Sequence, residues 1–286
     1  MDEIFQREKL EFTEEEIKEI RNIIWKHSGI YVEDSKLYLL KFKTSSRLKK
    51  IRVTPREYIL LLNDSSQELK ELIESITIGE TQFFRDKIQI DTFFDKIFKN
   101  YIQEKKNTPD IITFLSAGCA TGEEPYTLAI YMLEKFPTTT FKVFGIDINE
   151  NFIERAKEGK YSSYSIRGVP PLILAKYFDR IDQETWRIKD IVKKYVSFER
   201  VNLMDKLKMR LLGRFDVIFC KNVIIYFDEN SRNKVAEHFW YILKKSGYLV
   251  LGPAEKIRIV SEIFEPIFES GLFFYKKAEK PREDLM

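Results

Sequence analysis

The chain has 286 residues, of which 44% are hydrophobic, 33% charged and 14% aromatic, a profile that excludes a disordered chain and at this length predicts one large or two unequal domains. A formal net charge of +3 excludes the global positive field of a general nucleic-acid binder, so any electrostatic targeting must be local. Cys119 and Cys220 have neither metal-like spacing nor a disulfide framework, no apolar run approaches the roughly 18 to 20 residues that span a bilayer, and the opening MDEIFQREKLEF is too charged for a signal peptide. A cytoplasmic protein without direct membrane insertion is expected.

In chain order, Thr13 with Glu16 forms a capping-box signature, and Ile17, Ile20 and Ile24 recur at helical spacing. A second helix is expected after Asp34. A third starts at Thr54-Pro55, where Thr suits the N-cap and Pro the first helical position, and a fourth carries Leu69, Leu72, Ile73 and Ile76. Strand signals are absent from residues 1–76, which read as a helical domain. Gly79 breaks the pattern, residues 83–101 read as an aromatic-rich connecting helix and 104–109 as a linker, so 77–109 is expected to join two domains.

From Asp110 onward, apolar runs of strand length alternate with helical stretches, the grammar of a parallel α/β sheet. Strands are expected at 111–115, 141–146, 215–220 and 248–251, with helices at 124–136 and about 230–244. Residues 272–275 read as an edge strand. Residues 160–205 are irregular and charged, with a small antiparallel element expected around 186–201.

The strongest local signal is SAGCATGEEPY, from Ser116 to Tyr126, between a strand and a helix. Its small residues admit a ligand close to the backbone around Gly118, although a tight turn without a ligand fits the same pattern. No Gly-Lys-Ser/Thr follows, so it is not a phosphate-binding P-loop, and GxGxxG is absent. Acidic Glu123 and Glu124 would repel a pyrophosphate but suit a ligand that is cationic there, such as the amino group and sulfonium of S-adenosylmethionine. Asp147 closes the second strand, where a carboxylate can accept from both hydroxyls of an unphosphorylated ribose; the alternative is an N-cap for the following helix. A later strand ends at CKNVIIYF, which makes Tyr226 a site candidate, the alternative being an aromatic packed under the next helix.

Together these residues resemble the CheR family of chemoreceptor glutamate methyltransferases. The likeness spans Thr81-Gln82-Phe83-Phe84-Arg85, the Ser116 to Tyr126 turn, GID ending at Asp147, AKEGKY from Ala156 to Tyr161, Asn202-Leu203, FDVIFCKNVIIYF from Phe215 to Phe227 and the strand end Leu251-Gly252. It implies an α/β fold: a Rossmann-like S-adenosylmethionine-dependent methyltransferase domain over 110–286, with a small β subdomain inserted within 160–205 and an all-helical N-terminal domain for receptor recognition. It further implies that Thr81 and Arg85 close over the cofactor, that Glu124 and Asp147 hold its amino-acid and ribose portions, and that Asn202 and Leu203 flank the adenine. Cys220 and Lys221 would line the floor near the methionine end, with Arg85 and Tyr226 closest to the chemistry. The product would be S-adenosylhomocysteine, and no metal is implied. Gly79 stands where the family usually has Asn, and Lys221 where it commonly has Arg.

A glutamate acceptor is already ionised near neutral pH, with an unperturbed pKa of about 4.3, so the reaction needs no general base. It needs in-line approach to the methyl carbon and exclusion of water. The partner is expected to be the acidic cytoplasmic helical region of chemoreceptors, bound through Lys36, Lys41, Lys43, Arg47, Lys49, Lys50, Arg52 and Arg56, a stretch without an acidic residue. Independence from a receptor C-terminal pentapeptide and recruitment to membrane receptor arrays are also expected. Two rivals remain. One is a methyltransferase for nucleic acid or another substrate, against which the lack of an Asn/Asp-Pro-Pro-aromatic turn counts. The other is a non-catalytic adaptor that senses the cofactor or its product.

Overall fold

Side-chain caps open three of the four described helices in the N-terminal part of this chain. In the computed structural model, which describes residues 11–105, 110–255, 257 and 260–279, Thr13 Oγ1 accepts from the Glu16 N–H while the Glu16 carboxylate accepts from the Thr13 N–H. That box opens helix α1 (Glu14–Ser28), which Gly29 ends at φ 75°. A 3-10 turn at Asp34–Lys36 leads into α2 (Leu37–Ile51). A second box, Thr54 with Glu57, opens α3 (Pro55–Asp64), and Ser65 caps α4 (Ser66–Ile76). Most of the N-terminal stretch read against a signal peptide, and residues 106–109 of the expected linker, lie outside the described residues.

The described residues form two compact units. The first runs to Ile78 and also takes in Tyr226–Ser231; the second holds Gly79–Ile225 and the residues from Arg232 onward. In the first, Ile17, Ile20, Ile24, Leu40, Leu48, Tyr58, Leu62 and Leu72 are buried at the helical spacing that brings them to one side. A polar knot crosses this core. The Arg47 guanidinium donates to Glu68 Oε1 at 2.5 Å, to Glu68 Oε2 at 2.6 Å and to Glu71 Oε2 at 2.6 Å, and the Tyr58 hydroxyl donates to Glu68 Oε1 at 2.7 Å. Segment 226–231 is held by the Tyr31 N–H donating to the Tyr226 carbonyl at 2.8 Å and by Trp25 Nε1 donating to Asp228 at 2.9 Å.

The second unit is built on a seven-stranded sheet. Its strands are β1 (Ile112–Ala117), β2 (Phe141–Asp147), β6 (Val196–Arg200), β7 (Phe215–Cys220), β8 (Leu243–Leu251), β9 (Phe264–Glu269) and β10 (Leu272–Lys277), in the order β6-β2-β1-β7-β8-β10-β9. The first five are parallel, while β10 runs antiparallel to β8 and β9 antiparallel to β10. A separate small antiparallel sheet, ordered β3-β5-β4, comprises β3 (Lys160–Ser162), β4 (Phe178–Arg180) and β5 (Thr185–Ile188).

Three expectations need correction. Residues 196–200 belong to the main sheet beside β2 and not to the small antiparallel element. Residues 272–277 are interior, because β9 covers them and is itself the edge. Residues 83–101 do not merely connect. They supply helix α5 (Lys87–Thr92), a π-helical turn at Phe93–Phe98 and α6 (Lys99–Lys105), whose rings fill the sheet core: Phe93 lies 5.4 Å from Phe219, Phe98 5.3 Å from Phe114, and Phe94 4.9 Å from Tyr131. At the foot of the sheet, fully buried Asp216 accepts from the Tyr101 hydroxyl at 2.6 Å, the Thr113 N–H at 2.8 Å and Lys244 Nζ at 2.7 Å, which locks β1, β7 and β8 together. No helix among the described residues is long and apolar enough to cross a membrane.

Removing Arg47 strands two carboxylates, one of them buried. Arg47→Ala is expected to lower the unfolding free energy of the full chain by about 3 kcal/mol, against less than about 0.5 kcal/mol for Lys49→Ala on the exposed face. Chemical denaturation followed by circular dichroism checks both, and equal stabilities would contradict the buried knot.

Candidate functional site

Connections from β1 grow the sheet in one direction through β2 to β6 and in the other through β7 to β8, so the turns leaving β1 and β7 part at the carboxyl edge. Open α/β sheets bind ligands at such a reversal. The turn after β1 is tight because the Ile146 carbonyl accepts from both the Gly118 N–H (2.8 Å) and the Cys119 N–H (2.9 Å). Gly118 has φ 75°, and a Cβ built there would lie 2.3 Å from Val223 Cγ2, so only glycine fits. Helix α7 (Glu123–Lys135) starts from this turn, and α8 (Glu150–Glu158), capped by Asn149, starts after β2.

Two carboxylates face the turn. Asp147 Oδ2 accepts from the Ala120 N–H at 3.0 Å and Oδ1 from the Asn149 N–H at 2.9 Å. It supports the start of α8, but Asn149 is the N-cap. Glu124 Oε1 accepts from the Ser116 hydroxyl at 2.7 Å. Burial pushes both carboxyls above the ordinary carboxylate range, opposed at Asp147 by backbone N–H groups and at Glu124 by the Lys221 ammonium and the Ser116 hydroxyl. Glu123 accepts from the Thr121 hydroxyl at 2.7 Å, and burial raises its pKa too.

From the β7 side, Lys221 Nζ donates to the Arg85 carbonyl at 3.2 Å and pairs with Asp86 at 3.1 Å. This ties the 81–86 segment to the carboxyl edge. Thr81 and Arg85 are both half-buried on that segment, and Arg85 Nη1 donates to the Glu80 carbonyl at 2.9 Å. Asn202 and Leu203 follow β6, where the Val201 N–H donates to the Asp147 carbonyl at 2.9 Å. The Asn202 side chain accepts from the Met204 N–H, and Leu203 is buried. Cys220 is fully buried at the end of β7, and burial raises the thiols of both Cys119 and Cys220, so neither is a ready nucleophile. Gly118, Glu124, Asp147, Asn202, Leu203, Cys220, Lys221 and the segment bearing Thr81 and Arg85 thus share one edge. Tyr226 does not join them within this unit; it ends the 3-10 turn Ile224–Tyr226 and falls in the first unit.

Sequence reasoning missed Glu255. It is buried after β8 and accepts from the N–H groups of Asn222, Val223, Ile224 and Gly252. The available signal was an acidic residue three positions after the Gly252 strand end. Phe152 was missed as well: its ring lies where a Cβ on Gly79 would stand, 2.6 Å away.

A parallel sheet with this reversal, a turn that excludes any Cβ and carboxylates flanking it define the Rossmann-like class of α/β enzymes. Comparison with known families narrows the class to S-adenosylmethionine (SAM)-dependent methyltransferases. Residues 79–271 match the family described as "CheR methyltransferase, SAM binding domain", and residues 15–77 match "CheR methyltransferase, all-alpha domain". The chain belongs to the CheR methyltransferase family. A chemotaxis protein methyltransferase of Borreliella burgdorferi is 35% identical over 257 residues, covering 87% of this chain and 90% of its own. Chemotaxis protein methyltransferase 2 of Vibrio cholerae is 29% identical over 274 residues, covering 92% and 93%. Among solved structures, the magnesium protoporphyrin IX methyltransferase of Synechocystis PCC 6803 aligns with 74% of this chain and 90% of its own at 15% identity and TM-score 0.35.

The residues present fit SAM. Asp147 Oδ1 and Oδ2 each accept a backbone N–H and keep lone-pair capacity for a hydroxyl, while Glu124, whose nearby cation is Lys221, adds a second carboxylate for a cationic group. Gly118→Ala is expected to weaken S-adenosylhomocysteine binding roughly tenfold to a hundredfold through left-handed strain and the clash with Val223. Isothermal calorimetry measures it, and unchanged affinity would exclude Gly118 from the cofactor cradle.

Proposed function

We propose that this protein transfers the methyl group of SAM to glutamate side-chain carboxylates of bacterial chemoreceptors, forming the methyl esters of chemotaxis adaptation. One observation carries the reading: the crevice pairs carboxylates suited to a cation with no histidine positioned as a base, as suits an acceptor that arrives as an anion. The His27 ring is engaged with the Ile23 carbonyl and the buried His238 ring with the Leu203 carbonyl. Burial lowers the His238 pKa. The relatives' names, chemotaxis protein methyltransferase, support a chemoreceptor acceptor.

When bound, SAM supplies an electrophilic methyl on a sulfonium. Glu124 receives its amino group and Asp147 its ribose hydroxyls. Asn202 and Leu203 flank the adenine, Cys220 and Lys221 floor the methionine end, and Thr81 closes over the site. Arg85 retains guanidinium donors beyond the one given to Glu80, enough to orient an incoming carboxylate. On the sequence likeness alone, Tyr226 would position the reacting methyl. Water exclusion raises the reactivity of the acceptor oxygen.

For the partner, the basic stretch from Lys36 to Arg56, most of it on α2, divides in two. Arg47 is internal, and Lys36, Lys41 and Arg56 pair with Glu33, Glu11 and Glu19. Lys43, Lys49, Lys50 and Arg52 are exposed, along with Phe42 (71% exposed) and Tyr38 (68%). Such a face suits an acidic helix with an apolar stripe, and through it recruitment to receptor arrays. The small sheet, with strands of three or four residues, favours independence from a receptor C-terminal pentapeptide.

Turnover of methyl-labelled SAM with a receptor cytoplasmic fragment, scored as base-labile ester, is the decisive experiment; a base-stable product would move the acceptor to another chemical class, and no turnover would favour an adaptor. Arg85→Ala and Tyr226→Phe are each expected to lower kcat/KM by about a hundredfold. Near-wild-type values in both would sink these roles. The triple change of Lys43, Lys49 and Lys50 to Glu should raise the receptor KM and flatten its salt dependence while leaving S-adenosylhomocysteine affinity intact.

A pH dependence follows with a worked sign. Folded-state pKa values of Glu124 and Asp147 lie above their unfolded values, so the ligand-free fold binds more protons and gains stability as pH falls toward those values. Cofactor binding needs both carboxylates ionised, so affinity should fall over the same window, with protons released on binding. Calorimetry in buffers of different ionisation enthalpy reads that release directly, and buffer-independent heats at the acid pH values where these raised carboxyls titrate would contradict the assignment.

A further inference from the structure

Three successive backbone N–H groups in a half-buried turn need acceptors, because each one left unpaired away from water forfeits its solvation without return. In the turn leaving β7 all three go to one side chain. Glu255 Oε2 accepts from the Asn222 N–H at 2.7 Å and from the Gly252 N–H at 2.8 Å, while Oε1 accepts from the Val223 N–H at 2.8 Å and the Ile224 N–H at 2.9 Å. The residue is 5% exposed. Its carboxylate therefore joins the ends of neighbouring strands β7 and β8, which are in register at Cys220 and Leu251. Asn222 adopts φ 60°, a conformation that this anchoring maintains.

The turn so fixed touches both halves of the site. Val223 packs against Gly118, filling the space a Cβ would take. Lys221, one residue before the anchored N–H groups, holds the Arg85 carbonyl and Asp86. We propose that Glu255 is a positioning residue for methyl transfer: its buried carboxylate, without touching a reactant, sets the turn that backs the Gly118 cradle and places the Arg85 segment. Gly252 is the matching requirement, since a Cβ there would lie 2.6 Å from Glu255 Oε2 and 3.2 Å from the Asn222 nitrogen.

Two variants test this from opposite sides. Glu255→Gln keeps the size but turns an amide NH2 toward backbone donors, and Gly252→Ala keeps the carboxylate but wedges it off the turn. Misplacing reacting groups by about 1 Å costs on the order of a hundredfold, so kcat on the receptor fragment should fall by roughly tenfold to a hundredfold in both, measured where circular dichroism shows them folded. Affinity for S-adenosylhomocysteine should weaken several-fold, and amide hydrogen exchange at Asn222, Val223 and Ile224 in the ligand-free protein should accelerate at least about tenfold. A purely structural role would lower the melting temperature and leave kcat, KM and product affinity of the folded variants unchanged, and that result overturns the proposal. Should Glu255→Gln not fold, the Gly252→Ala result decides alone. Wild-type protein that binds product but leaves the receptor fragment unmethylated would refute the acceptor reading instead, and product affinity with amide exchange would then decide the role of Glu255.

Discussion

Buried turns at the carboxyl edge of this sheet carry backbone N–H groups that no neighbouring strand can take, and carboxylates accept them. Asp147 takes those of Ala120 and Asn149, and Glu255 takes four. Such bonds stabilise a charged acceptor and an irregular backbone at once. The loops around the crevice can therefore be both buried and non-repetitive, as a cradle for a small ligand must be. The same device fixes anionic oxygens at defined points before any ligand arrives.

Backbone strain collects at the same place. Of the seven described non-glycine residues with positive φ, Phe84, Asp86, Ala120 and Asn222 (57°, 53°, 44° and 60°) lie on the segments that carry or flank the site, while Arg52, Ser246 and Ser270 lie elsewhere. Left-handed conformations at residues with a Cβ cost of order 1 to 3 kcal/mol each and persist only where surroundings over-determine them. Here the determinants are identifiable: the Phe84 N–H donates to Thr127 Oγ1 at 3.2 Å, Asp86 pairs with Lys221, the Ala120 N–H donates to Asp147, and the Asn222 N–H donates to Glu255. Fully buried Asp216 at the opposite end ties Tyr101, Thr113 and Lys244 together, so the strained edge is carried by a rigid sheet.

Much of the sheet was legible because buried parallel strands read as apolar runs, and their carboxyl ends made Gly118, Asp147 and Tyr226 candidates by position, whereas Cys220 came only from the family resemblance. What escaped did so for physical reasons. The edge strand β9 contains Pro266, a residue that argues against a central strand yet is tolerated at an edge, so the terminal hairpin looked like a single strand. The 83–101 segment has helical spacing, but nothing in that spacing says that Phe93 meets Phe219 across the sheet. Arg47 and Lys49 look alike in a basic stretch, whereas one is enclosed by Glu68 and Glu71 and the other is exposed. Pairing is a tertiary property, and so is the role of Glu255, whose partners at 222–224 lie about thirty residues upstream.

Gly79, one of the two positions read from the sequence as departures from the family pattern, makes the same point. A glycine offers no side-chain donor, and the room beside it is taken by the Phe152 ring from the first turn of α8. An amide and a ring hold a backbone differently: the first by directed hydrogen bonds, the second by contact area without direction. A segment that exchanges one for the other must obtain its direction elsewhere. In this chain it does so through the Phe83 N–H on the Ser165 carbonyl, the Phe84 N–H on Thr127 and the Arg85 carbonyl on Lys221. Three main-chain bonds over three consecutive residues fix the path of the segment that bears Thr81 and Arg85, and the Lys221 ammonium serves two separate acceptors there, the Arg85 carbonyl and one Asp86 oxygen, neither of which needs a forked donor.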